Sequence, residues 1–161
     1  MRIVSTTAET TNLSAATARL VDTVYTTEGW ITPLTDALKD VEQEEAAWKP
    51  GPDVASIWEV TAHTANYLES LVLALEGQAQ RKFEDWPEVE ATGDWVGLRN
   101  HVLTLSERLA NVLGALSEDA LGKPFPSGKT PIADRIVDIS AHDAYHAGQI
   151  VKLRQVYSAL H

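Results

Sequence analysis

Thr130-Pro131-Ile132-Ala-Asp-Arg-Ile136-Val-Asp-Ile139-Ser-Ala-His142-Asp143-Ala-Tyr145-His146-Ala-Gly148-Gln149-Ile150-Val-Lys-Leu153-Arg-Gln-Val-Tyr157 reads as one long helix. Ile132, Ile136 and Ile139 at its start, and Ile150, Leu153 and Tyr157 at its end, follow the four-and-three spacing of a core-facing stripe. Carried through the middle, that spacing lands on Asp143 and His146, with His142 on the adjacent flank. A polar patch therefore interrupts an apolar seam. Residues four apart on a helix differ by roughly 40° around the axis and ~6 Å along it, so the two imidazoles share a face. Two readings fit: a set of hydrogen-bonded core histidines, or a pair of ligands to one metal ion.

A third histidine strengthens the second reading. Ser56-Ile57-Trp58-Glu59 has the form of a capping box. The helix it opens carries Val60, Tyr67, Leu71 and Leu75 on one face, and Gly77 marks its exit. His63 lies on that face. His101 sits beside Leu98, Val102 and Leu105 on another helix and reads as a flanking or surface residue, while His161 at the end of the sequence reads as disordered.

The rest of the chain is also helical. A first stretch spans about 12–27, with Leu20, Val24 and Thr27 on one face. After Gly29, Thr32-Pro33 starts a renewed helix through Leu34, Leu38 and Val41, ending before Pro50-Gly51-Pro52. A third long helix runs from about Asp94 to Leu116 on an unbroken stripe from Leu98 to Leu116. Residues 77–93 form a long, charged connection, and 117–129 a loop of Gly, Pro and Ser. Thr130-Pro131 opens the last helix. No segment alternates as a strand does. The expected fold is all-α, a four-helix bundle making one domain over residues 1–161. In such bundles, metal and ligand sites are built from inward side chains of facing helices.

The net charge of −10, from 13 basic and 23 acidic residues, opposes nucleic acid and anionic membranes, and no basic stripe is present. No apolar run reaches the ~18 residues of a membrane span. Met1-Arg-Ile-Val-Ser-Thr-Thr-Ala-Glu-Thr10 lacks the apolar stretch of a signal peptide, so the default location is cytoplasmic. There is no cysteine, which excludes disulfides and thiolate-ligated zinc.

Taken together, Trp48-Lys-Pro50-Gly51, Ser56-Ile57-Trp58-Glu59-Val60-Thr-Ala-His63, Leu75-Glu76-Gly77 and His142-Asp-Ala-Tyr145-His146-Ala-Gly148-Gln149-Ile150 resemble the DinB-like (DinB/YfiT) superfamily of metal-binding helical bundles. The fit extends from about Trp30 to Tyr157. The resemblance implies a divalent metal, zinc or nickel, held by His63, His142 and His146, with water or substrate at the open positions. It implies a long crossover connection that lets the last two helices exchange places relative to a simple up-down bundle. It also implies a homodimer and, in part of the family, transfer of bacillithiol or mycothiol to a small-molecule substrate.

Independently of the resemblance, a three-histidine metal lowers the pKa of a bound water or thiol. Metal-dependent hydrolysis and a non-catalytic, metal-stabilised stress-response module are the alternatives to thiol transfer. Protease chemistry is disfavoured, because the zinc-protease helix places Glu directly after the first histidine and this chain has Asp143. Gln149, near the metal face, is a candidate substrate contact. Glu59 is a candidate base, or simply the cap of its helix. Asp138 and Tyr145 are flanking candidates, Gly148 a point of close helix approach, and Trp30 and Trp58 candidates for a pocket lining.

Overall fold

The computed structural model describes residues 12–161. The N-terminal segment read above for a signal peptide lies outside that range. Helix accounts for 63% of the described residues, which contain no strand. Seven helices follow one another: α1 (Leu13–Tyr25), α2 (Leu34–Ala37), α3 (Gln43–Ala47), α4 (Ile57–Leu75), α5 (Trp95–Ala115), α6 (Glu118–Leu121) and α7 (Ile132–Leu160). None of them is long and apolar enough to cross a membrane.

Local chemistry sets most boundaries. Asn12 caps α1 by accepting from the Ala15 amide at 2.8 Å. Ser56 and Glu59 form the expected capping box at the start of α4. That helix stops at Gly77, whose φ of +70° is a conformation glycine adopts without strain. The Gln78 amide reaches back to the Leu73 carbonyl and the Gly77 amide to that of Ala74, which satisfies two terminal carbonyls. Asp94 caps α5.

Two expectations are corrected. Thr32 does not cap with Pro33 as the first helical residue; Pro33 itself occupies the cap position in extended conformation, and Pro131 is the cap residue of α7. Proline's fixed φ suits that position as well as the first helical turn. The renewed helix through Val41 is instead broken into α2 and α3. The Val41 carbonyl, which a continuing helix would use, accepts from the Trp95 indole at 2.7 Å and from Arg99 at 3.3 Å. Leu34, Leu38 and Val41 are still buried, so the apolar pattern held while the helix did not.

The four long helices pack in a closed circuit. α7 lies against α1 and α4, and α5 against the same two helices. α4 and α5 run in the same direction: Trp58 meets Trp95 near their starts at 5.8 Å, and Glu76 pairs with Arg108 further along at 2.6 Å. The connection over 76–94 therefore travels back along α4. Gln80 reaches the Ser70 carbonyl, Asn66 the Glu84 carbonyl, and Gly93 lies against Trp58. A helix of 19 residues is ~28 Å long, a span that about nine extended residues cover.

Candidate metal centre

His63 projects from a stretch of α4 that is buried on every side from Ile57 to Val60 and from Thr61 to Ala65, apart from half-buried Glu59. His142 and His146 come from the middle of α7, which crosses it. His63 and His146 are buried, and the His142 side chain is 29% exposed. The Nε2 atom of His142 lies 2.9 Å from that of His63 and 3.1 Å from that of His146. One ligand atom from each residue falls within 4.8 Å of the others.

Each ring is oriented through its other nitrogen. His63 Nδ1 is 2.6 Å from the Asp85 carbonyl, His142 Nδ1 is 2.7 Å from Asp143 Oδ1, and His146 Nδ1 is 2.7 Å from Gln149 Oε1. All three partners are oxygen acceptors, so each Nδ1 carries the hydrogen and donates it. The tautomers follow from these partners. In the neutral rings all three Nε2 lone pairs then converge on one place. A shared proton relieves one such pair; a single cation relieves all three. The donor set is imidazole alone, which suits zinc, nickel, copper and iron, and the residues fit a bound divalent metal.

The supports are themselves held. Asp143 is completely buried on α7, and its second oxygen accepts from the Tyr25 hydroxyl of α1 at 2.6 Å. Burial pushes the Asp143 carboxyl upward, while hydrogen bonds from His142 and Tyr25 oppose the rise. Burial and the neighbouring Asp143 push the Tyr25 phenol well above its ordinary value, so Tyr25 stays a donor. Asp143 thus stands behind a candidate ligand histidine, an arrangement common at metal sites. The Tyr67 hydroxyl holds the Asp85 carboxylate at 2.7 Å, and Trp86 stacks on His63 with ring centres 4.0 Å apart and planes 8° from parallel.

Gln149 engages its side-chain amide within α7. Its oxygen takes the His146 hydrogen and its amide donates to the Tyr145 hydroxyl at 2.9 Å. It therefore orients the His146 ring, a candidate ligand. Gln149→Ala should weaken metal affinity roughly tenfold while leaving the stoichiometry unchanged, the loss usual for a supporting hydrogen bond; metal titration of the purified variant checks this.

Glu59 makes the capping box and a 2.7 Å ion pair with Lys49, and no hydrogen bond to the histidines. Asp138 is exposed. Gly148 is also exposed, and a Cβ there would meet nothing within 4 Å, so no helix approaches it closely. Trp30 is fully solvent-exposed at 103%, and Trp58 packs in the core against Trp95; neither lines the site. His101 lies 3.6 Å from Glu69 on the periphery, as expected. His161 is not loose: it bonds the Tyr157 carbonyl and stacks on that ring at 4.2 Å.

Tyr25, Asp85 and Trp86 were not visible as site residues. Asp85 contributes a backbone carbonyl, which no side-chain pattern signals. Tyr25 lies beside the stripe of Leu20, Val24 and Thr27 read for the first helix and is not part of it. Trp86 stands out in a charged loop, the one available sequence cue.

Burial pushes the His146 imidazole down to about 4. Its folded value is thus below the ~6.5 of an unfolded chain, and between those values the unfolded state binds more protons. In metal-free protein this contribution to stability is complete above pH ~6.5 and is lost as the pH falls toward 4. Urea unfolding of metal-free protein across that window should show the decline. A flat profile would contradict the burial of a neutral His146.

In the helical described region, three imidazoles from two packed helices thus converge on one point that could hold a metal ion. A family model of the DinB superfamily matches residues 26–150, a span containing all three histidines, and the chain belongs to that superfamily. No curated protein and no solved structure matches it.

Proposed function

We propose that this DinB-superfamily protein binds one divalent metal, zinc or nickel, through His63, His142 and His146, and transfers a low-molecular-weight thiol of the bacillithiol or mycothiol type to a small electrophile. The observation that carries the metal assignment is the convergence of three Nε2 atoms whose rings are each fixed through Nδ1. When bound, the metal would supply Lewis acidity that favours the thiolate form of a thiol at neutral pH. The chain's own residues orient and shield. Asp143, the Asp85 carbonyl and Gln149 hold the rings, and Trp86 covers one face of His63. The partial exposure of His142 leaves the cluster reachable from solvent. The chain contains no cysteine, so the thiol comes from outside. In the transfer, a sulfur–carbon bond forms, the leaving group departs with its electron pair, and the thiol proton passes to solvent.

The same reading takes α1, α4, α5 and α7 as a four-helix bundle with a long crossover, supported by the parallel course of α4 and α5. A homodimer belongs to it as well, to be read by sedimentation.

Hydrolysis with Glu59 as base is the second reading, and the engagement of Glu59 with Ser56 and Lys49 weighs against it. An assay with monochlorobimane and a panel of bacterial thiols, run with zinc or nickel, tests the proposal. Turnover should vanish in His142→Ala and persist in Glu59→Gln. Collapse of Glu59→Gln on an ester substrate would favour the hydrolase. Tight metal binding without turnover on any thiol or ester would favour a non-catalytic module.

A further inference from the structure

A cavity of about 240 Å³ lies beside the histidine cluster. Its apolar wall comes from Val54 and Ala55, just before α4, with Val60 and Leu153. Trp86, Gln149 and Lys152 complete it. Two of these side chains belong to the cluster too. Trp86 stacks on His63 and meets His146 edge-on at 5.9 Å, and Gln149 holds the His146 ring. A molecule in the cavity would therefore rest against the groups that orient two of the three histidines.

Size and lining restrict the occupant. An apolar cavity of about 150 Å³ is enough for benzene. This one has room for a single ring or a branched chain with a short extension, and not for a nucleotide or a folded peptide. Val54, Ala55, Val60 and Leu153 offer that body no hydrogen bonds. Lys152 is the charged group of the lining. Its hydrogen bond goes to Gln155 Oε1 at 2.9 Å, and among the described residues it has no carboxylate partner within ion-pair distance. On a chain of net charge −10, an ammonium beside an apolar cavity selects for an anionic group on the occupant.

We propose that this cavity is the subsite for the body of the electrophile, and that it takes one apolar ring or branched chain bearing a carboxylate that faces Lys152. The occupant's role as electrophile rests on the thiol-transfer reading; its chemistry rests on the cavity. The probes are 3-phenylpropionate and its neutral counterpart 3-phenylpropanol, titrated calorimetrically into the full chain, both zinc-loaded and chelated. The carboxylate should bind both forms. Lys152→Gln should weaken the acid by about threefold to fivefold, the usual range for an exposed charge pair, and leave the alcohol unchanged. Ala55→Phe, filling the cavity from a half-buried loop position, should weaken both probes by about tenfold. Neither variant should change zinc stoichiometry. Acid binding that disappears on chelation would place the carboxylate on the metal and overturn the proposal. Equal affinity in wild type, Lys152→Gln and Ala55→Phe would overturn it as well. Probe binding in the expected pattern, from a protein that turns over no thiol, would uphold the cavity and sink the thiol-transfer reading.

Discussion

Alanine at any one of His63, His142 and His146 should abolish tight metal retention, and wild-type protein should carry about one divalent ion per chain. Each substitution removes one of only three convergent Nε2 donors. The loss should exceed the ~10–100-fold typical of deleting a supporting hydrogen bond. Elemental analysis after mild purification, followed by titration of metal-free protein with zinc and with nickel, measures it. An affinity no tighter than ~10 μM for either ion, the level of a weak adventitious contact, would make the cluster purely structural. The three variants are not structurally equivalent. His142→Ala also strips a hydrogen bond from Asp143, which is completely buried. It should therefore be the least stable of the three in metal-free form, because an under-satisfied buried carboxylate costs more than a lost imidazole contact.

Chelation should lower the melting temperature of wild-type protein substantially. A ligand that binds only the folded state stabilises it by ~2.7 kcal/mol at a hundredfold excess over its dissociation constant. For a domain of this size that corresponds to roughly 5–10 °C. The metal would join α4 to α7, and its α4 histidine, His63, also holds the connection over 76–94 through the Asp85 carbonyl. Amide exchange in that connection should accordingly quicken on chelation. A melting curve unchanged by EDTA, with metal loss confirmed, would contradict a shared site. Chelation of the His146→Ala variant should have little further effect, because its site is already incomplete.

Much of the helical framework was legible because burial imposes a period. The stripe from Leu98 to Leu116 became α5, and the isoleucines of the last segment became the buried face of α7. Capping chemistry was legible wherever the acceptor is local, as at Ser56 and Glu59. It failed at Val41, where a tryptophan indole from a distant segment competes for the carbonyl. The same limit separates Glu59 from Gln149. Sequence offers Glu59 both a cap and a catalytic role, and only the position of Lys49 shows where its carboxylate is engaged. Gln149 is one turn from His146 on any helix, yet whether it faces the ring or the solvent depends on the rotamers that packing allows.

By itself, then, the sequence determined that the chain is helical, that a polar patch breaks the apolar face of the last long helix, and that His142 and His146 share that face. These follow from the fixed geometry of the α-helix, in which spacing dictates direction. The resemblance carried by the motifs already set His63 with that pair; tertiary structure alone decided that Tyr25 braces Asp143. It also decided that the connection over 76–94 returns along α4 to lay Asp85 and Trp86 on His63. Those contacts join residues far apart in the chain. They depend on which helices become neighbours and in which direction each one runs, and no local period encodes that choice.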